Sequence, residues 1–196
     1  KELGLQVDLV PATDWNSLQR MAGEQEIDLV AASMPEDFSL HDMVFSLPYE
    51  HFPEVIVTRL QGPAVAGPED LRGRVVAARE EAGLLPRLAV LLPDSRIVPV
   101  GSNEAGLDLV ADGKADAYIG TLPAIDALIR DRYAASLRIS GPAGVDQDFT
   151  IGVSTDYQRL LPMIDLVLRN VSDEQRQRIR SRWLTADYQF GVPWAW

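Results

Sequence analysis

The side chains that most often catalyse reactions or bind metals are few in this 196-residue chain and poorly spaced for either task. There is no cysteine, which excludes disulfides, thiolate nucleophiles and cysteine-bound metals. His41 and His51 are ten residues apart in the sequence, and no pattern of further ligands accompanies them. The acidic pairs Glu36-Asp37 and Glu80-Glu81 are adjacent, so their side chains diverge and do not face each other across a bond. We therefore predict a protein that binds rather than catalyses, with no metal and no cofactor.

The charge balance excludes another class of partner. The chain carries 29 acidic and 18 basic residues and a formal net charge of -11. Because nucleic acid is bound through clustered Lys and Arg on phosphates, we predict no nucleic-acid partner. No apolar run approaches the roughly 20 residues that a membrane-spanning helix needs.

Two stretches, residues 15–31 and 103–119, repeat one order of elements: helix, Gly, a polar step, Asp, and an apolar strand. The corresponding pairs are Leu18 and Leu107, Met21 and Val110, Gly23 and Gly113, and Asp28 and Asp116. One interpretation is the ordinary repetition of any α/β protein; the other is two similar lobes, each with its own parallel sheet. Since open α/β sheets bind ligands beyond the carboxyl ends of their strands, two lobes would form a cleft.

The remaining patterns predict an alternation of strands and helices. We expect a buried parallel strand over Ile27–Ala32, a helix over residues 81–92 and a capping box that begins at Ser172. A left-handed residue is expected at Gly23, where the first helix ends. Further strands are predicted over Leu5–Val10, Val55–Thr58, Val75–Ala78, Arg96–Val100, Ala117–Ile119, Leu137–Ile139 and Phe149–Val153, with a Gly/Pro loop between the last two.

The order of motifs resembles the family-3 bacterial extracellular solute-binding domains over nearly the whole chain. The motifs are Asp14-Trp15, Ile27-Asp28-Leu29-Val30, Phe45-Ser46-x-Pro48-Tyr49, Val55 to Arg59, Asp70-Leu71-x-Gly73-x-Val75, Asp112 to Ala117 and Arg182-Trp183. The resemblance implies an α/β fold of the periplasmic-binding-protein-like type II, with two lobes joined by two hinge strands, Val55–Arg59 and Phe149–Ser154. Lobe 1 would comprise residues 1–58 plus 150–196, and lobe 2 residues 59–149. Because family members usually begin about one strand–loop–strand earlier, we expect lobe 1 to lack its N-terminal part.

The resemblance also implies a ligand site, because family sites are assembled from a few positions that can be matched here. The ligand-binding residues it implies are Trp15, Ser33, Met34, Ser39, Arg79, Glu80 and Thr121. A Trp offers a flat face for stacking or cation–π contact, although Trp15 suits a core position at a helix start equally well. For Glu81 we expect a solvated position that complements the dipole of the following helix.

Two departures from the family pattern bear on the ligand. Amino-acid binders in the family place an Arg about six residues before the Phe of Phe-Ser-x-Pro-Tyr, but residues 36–41 contain none. They also place an Asp for the ligand amine where this chain has Thr121. We therefore expect a neutral or differently charged ligand, or none, rather than an ordinary amino acid.

The leading hypothesis is a periplasmic ligand-sensing domain of a membrane-bound sensor histidine kinase in a two-component system. Its lobes would open and close around a small-molecule ligand and signal to adjacent domains of the same receptor, with a homodimer as one assembly to consider. We expect tethering to the inner membrane through sequence outside this chain. The alternatives are a free solute-binding protein of an ABC transporter and a periplasmic dehydratase-like enzyme, the latter disfavoured by the missing Arg.

Overall fold

The chain forms two compact units. The computed structural model describes residues 6–12, 15–38, 42–81 and 83–183. Unit 1 comprises the described residues within 1–51 and 148–176, and unit 2 those within 52–147 and 177–196. The chain passes from one unit to the other inside two long strands, β3 (Glu50–Arg59) and β7 (Leu137–Ser154), and within the helix α6 (Asp173–Trp183). The lobe boundaries predicted from the sequence lie later along β3 and β7 than these crossings. The predicted boundaries stay a prediction.

Unit 1 is organised around the C-terminal part of β7. Two short strands, β1 (Leu29–Ser33) and β2 (Met43–Phe45), pair with it in the antiparallel sense. Two helices, α1 (Trp15–Gly23) and α5 (Leu161–Arg169), complete the unit together with the start of α6. A small apolar core joins α1 to the strands and contains Met21, Ala22, Ile27, Val30 and Met43.

Unit 2 is a sheet with helices on both faces, in the strand order β7-β3-β6-β4-β5. Strand β4 is parallel to β5 and β6, whereas β3 runs antiparallel to β6. The elements not yet given are β4 (Val75–Arg79), α2 (Leu84–Leu91), β5 (Arg96–Val100), α3 (Asn103–Ala111), β6 (Ala117–Thr121) and α4 (Leu122–Leu128). A short π-helical turn, Ile129–Tyr133, extends α4.

The two faces of this sheet explain the continuous apolar runs inside its central strands. Side chains alternate along a strand, so Val55 and Val57 join the cluster that contains Leu107 and Val110, while Ile56 joins the opposite cluster around Leu88. A segment covered on both faces favours apolar residues at successive positions, which is the pattern of Val55–Val57 in β3, Val75–Ala78 in β4 and Ala117–Ile119 in β6. The predicted α/β class is confirmed.

Several predictions about single elements were wrong. Residues 6–10 form no strand, and β1 is antiparallel to β7 and exposes Leu29. The positive φ at the end of α1 belongs to Gln25 rather than to Gly23, whereas Gly113 has the left-handed φ of 75° that suits the end of α3.

The predicted loop between two C-terminal strands is also absent, because β7 runs unbroken through Gly141. A Cβ at Gly141 would lie 2.3 Å from the carbonyl oxygen of Ala66. The glycine therefore admits a close backbone neighbour rather than making a turn.

Candidate functional site

A buried chain of polar side chains lies in unit 2 where strands β4 and β6 end. The two strands are parallel and in register, with Val76 opposite Ala117 and Ala78 opposite Ile119. Their carboxyl ends therefore meet at one edge of the sheet and bring Arg79 and Thr121 to it. This is the edge at which open α/β sheets bind ligands.

Polar contacts connect these two positions through Glu81 and Gln147 and continue from Thr121 to Glu54, and we call the five residues the polar chain. Arg79 Nε lies 3.1 Å from Glu81 Oε1, and Gln147 Nε2 donates to Glu81 Oε2 at 3.0 Å. Thr121 Oγ1 lies 2.6 Å from Gln147 Oε1 and 2.9 Å from Glu54 Oε1. The polar chain thus runs Arg79–Glu81–Gln147–Thr121–Glu54 and ties β4, β7, β6 and β3 together.

Glu54 has the most perturbed environment of the five. Its side chain is 1% exposed, and among the described residues no donor lies within hydrogen-bonding distance of its Oε2. Burial raises the pKa of Glu54 to about 7, because a carboxylate loses most of its hydration in such a site. The negative charge of Glu81 contributes to this rise, while the contact with the Thr121 hydroxyl and the positive charge of Arg79 oppose it.

Arg79 is only partly available to a ligand, because it is already paired within the polar chain. Its side chain is 32% exposed, whereas its partner Glu81 is 8% exposed. Glu81 is therefore not the solvated helix-start residue we expected, and α2 begins three residues later, at Leu84. Glu80 is exposed, and its backbone N–H donates to the carbonyl of Val100 at 2.9 Å. The edge thus presents more carboxylates than guanidinium groups.

The residues predicted in the other lobe belong to unit 1. The Ser33 side chain is buried, and its hydroxyl lies 3.2 Å from the carbonyl oxygen of Thr150. Met34 follows β1 and is half-buried. Trp15 begins α1, but its side chain lies outside the described residues, as does Ser39 altogether. The ligand role of these four residues stays a prediction.

Sequence reasoning missed Glu54 and Gln147, which complete the polar chain. Glu54 directly precedes the apolar run Val55-Ile56-Val57, and a charged residue next to such a run inside a sheet is a signal that could have marked it. Gln147 carries no comparable signal, since it lies in a mixed polar stretch beside Asp146 and Asp148. Only the pairing of β7 with β3 brings Gln147 into this cluster.

The described residues offer no sign of a metal centre or a membrane span. In that part of the chain, no group of three or more His, Cys, Asp or Glu side chains is placed to hold a metal ion. None of the helices the structure describes is both long enough and apolar enough to cross a bilayer.

Comparison with known proteins gives a consistent family assignment. Residues 1–186 match the sequence profile of the bacterial extracellular solute-binding proteins, family 3. Among curated proteins, the chain is similar to the virulence sensor protein BvgS of Bordetella bronchiseptica, with 28% identity over 153 residues, or 78% of this chain and 12% of that protein. BvgS of Bordetella pertussis is 24% identical over 194 residues, which is 98% of this chain and 15% of the relative. The chain therefore spans only a small part of these relatives.

Solved structures share the fold. The periplasmic VFT2 domain of Bordetella pertussis BvgS matches with a TM-score of 0.83 at 24% identity, covering 92% of this chain and 77% of that domain. An ancestral arginine-binding protein bound to arginine matches with a TM-score of 0.73 at 20% identity, covering 93% and 82%. The predicted fold of the periplasmic-binding-protein-like type II is confirmed.

Proposed function

The chain belongs to family 3 of the bacterial extracellular solute-binding proteins, and on that premise we propose that it is the solute-sensing domain of a membrane-bound sensor histidine kinase. The similarity that carries the proposal is the match to BvgS, a virulence sensor protein, which extends over 153 residues at 28% identity. The proposed location is the periplasm, since the related VFT2 domain is periplasmic. The proposed partners are a small solute and the adjacent domains of the same receptor.

The proposed mechanism is a shift in the balance between open and closed lobes. A solute changes such a balance only by the difference between its affinities for the two states. The side chains proposed to contact it in unit 2 are Arg79, Glu80 and Thr121, and those proposed in unit 1 are Trp15, Ser33, Met34 and Ser39.

The charges at the edge of unit 2 favour a particular class of solute. Arg79 is the cation of the polar chain, and its Nε is held by Glu81. Thr121 stands where amino-acid binders of this family have an Asp, and its hydroxyl is engaged by Gln147 and Glu54. A bound carboxylate would meet Glu80 and Glu81 without a free bidentate clamp. We infer a neutral or cationic polar solute.

The kinase part of the proposal is tested with the complete gene product. We expect inner-membrane vesicles that contain it to incorporate phosphate from ATP on a histidine, and the domain in this chain to lie outside the kinase domain in the sequence. A gene that encodes only a free secreted protein would contradict the proposal and favour a transporter's solute-binding protein.

A further inference from the structure

The single hydroxyl proton of Thr121 has two possible acceptors in the polar chain. Thr121 Oγ1 is within hydrogen-bonding distance of both Glu54 Oε1 and Gln147 Oε1, at 2.9 and 2.6 Å. A threonine hydroxyl carries a single proton, so it donates to one of them only. The other contact is a hydrogen bond only if its oxygen carries a proton of its own.

The pairing of Glu81 with Arg79, at the other end of the polar chain, determines which acceptor receives the Thr121 proton. Glu81 is paired with Arg79, so its carboxylate accepts hydrogen bonds and turns the amide nitrogen of Gln147 towards itself. The amide oxygen of Gln147 must then face Thr121, and it can only accept. Thr121 therefore donates to Gln147, and the contact with Glu54 needs a proton on Glu54.

From this geometry we infer that Glu54 is a proton-binding switch. The protonated acid donates to Thr121, Thr121 donates to Gln147, and Gln147 donates to Glu81. When Glu54 loses its proton, two acceptors compete for the Thr121 hydroxyl, and one buried oxygen is left without a donor. The inference concerns proton binding and does not depend on the proposed solute or kinase.

The surroundings of Glu54 are consistent with a bound proton. The charged groups that act on it are Arg79 at the end of β4, Glu81 just beyond it and Arg87 on α2. Burial raises the pKa of Tyr118 on β6 above its usual range, and the charge of Glu54 acts on Tyr118 in the same direction. Burial, the largest cause, and the Glu81 charge favour the neutral acid, whereas the contact with the Thr121 hydroxyl and the two arginines oppose them. The balance raises the pKa of Glu54 from 4.5 to about 7.

The location gives the switch a structural consequence. Glu54 lies on β3 and Gln147 on β7, the two strands through which the chain passes between the units. Gln147 is the last residue of unit 2 before β7 enters unit 1, and Glu54 lies just inside unit 2 on β3. Protonation therefore controls the hydrogen bonds that link both connecting strands through Thr121.

The sign of the pH effect follows from the raised pKa. The folded chain binds a proton at Glu54 more tightly than the unfolded chain does, so the stability from this group is complete below pH 4.5. It declines as the pH rises and is lost once the pH has passed about 7. Solvent denaturation of the purified chain between pH 4.5 and 8 measures this directly.

The comparison variant is Glu54→Gln, whose amide can donate to Thr121 at every pH but cannot titrate. We expect the unfolding constant of the wild type, divided by that of Glu54→Gln, to rise roughly 10- to 300-fold across this range. The exposed Glu69→Gln serves as the control and is expected to keep the wild-type pH dependence. A ratio for Glu54→Gln that stays constant with pH overturns the inference.

A measurement on the unmodified chain keeps the inference falsifiable if Glu54→Gln does not fold. With glutamate labelled at the side-chain carboxyl carbon, one NMR signal should titrate with a midpoint near 7, and Thr121→Ser should shift it and so identify it. If every glutamate titrates with a midpoint below about 5, Glu54 holds no proton near neutral pH and the inference fails.

Discussion

Thr121 is the residue on which the candidate site depends, because its hydroxyl is the one group that joins Glu54 to Gln147. Both neighbours are buried, at 1% and 4% exposure. Buried polar atoms are costly when they lose their partners, more so than the net value of one hydrogen bond suggests. The role of Thr121 is therefore structural as well as a proposed contact with solute.

At this scale we predict that Thr121→Val destabilises the chain by about 1–3 kcal/mol, because Val fills the space but leaves the Gln147 oxygen without a donor. Thr121→Ser keeps the hydroxyl and is the matched control, with an expected loss below about 1 kcal/mol. Urea denaturation monitored by circular dichroism gives both values. Equal losses for Val and Ser would mean that the methyl group, not the hydroxyl, stabilises this position.

At the scale of elements, helix α3 is held in place by its close contact with β6 and by a cation at its C-terminus. Ser102 caps its start by accepting from the Ala105 backbone at 3.1 Å. Arg59 Nη1 donates to the carbonyls of Val110 and Ala115, at 2.8 and 2.9 Å, where the helix ends. A cation there also complements the negative end of the helix dipole.

The middle of α3 contains Gly106, which lies against Tyr118 on β6. A Cβ at Gly106 would lie 2.1 Å from Tyr118 Cε2, and Tyr118 is fully buried. Gly106→Ala should therefore destabilise the chain by about 1–3 kcal/mol through overpacking, although Ala is the better helix former. Gly101→Ala, with open space around its Cβ, is the control. Thermal denaturation that leaves Gly106→Ala as stable as this control would contradict the packing.

Arg59→Ala is predicted to cost about 1.5–3 kcal/mol, since the carbonyl of Val110 in the last turn of α3 and that of Ala115 beyond it lose a charged donor. The exposed Arg96→Ala is the comparison and should change stability by less than about 0.5 kcal/mol. Hydrogen exchange would locate the effect: amides in the last turn of α3 should exchange faster in Arg59→Ala. Unchanged protection there would count against the cap.

Some elements of the fold can be predicted from local sequence, and others cannot. Strand β4 and helix α3 follow from apolar runs and from caps such as Ser102, which act over a few residues. The antiparallel pairing of β1 and the unbroken course of β7 depend on distant partners, such as Ala66 beside Gly141. The same holds for the candidate site. Family motifs indicate Arg79 and Thr121, whereas Gln147 reaches the site only because its strand pairs with β3.

At the scale of the whole molecule, the acidic balance and the division into two units are the properties that bear on the proposed sensing role. The net charge of -11 repels small anions in general, in agreement with the proposed neutral or cationic solute. The polar chain joins β3 and β7, the two strands that continue into unit 1.

The central claim, that this domain binds a small polar solute, is tested most directly by the melting temperature of the purified chain with a panel of neutral, cationic and anionic metabolites. A solute at about 100 times its Kd should stabilise the fold by about 2.7 kcal/mol. We predict such a rise for at least one neutral or cationic member, and a smaller rise for Arg79→Gln with the same solute. A melting temperature unchanged across the whole panel, or raised by anionic members alone, would contradict the account.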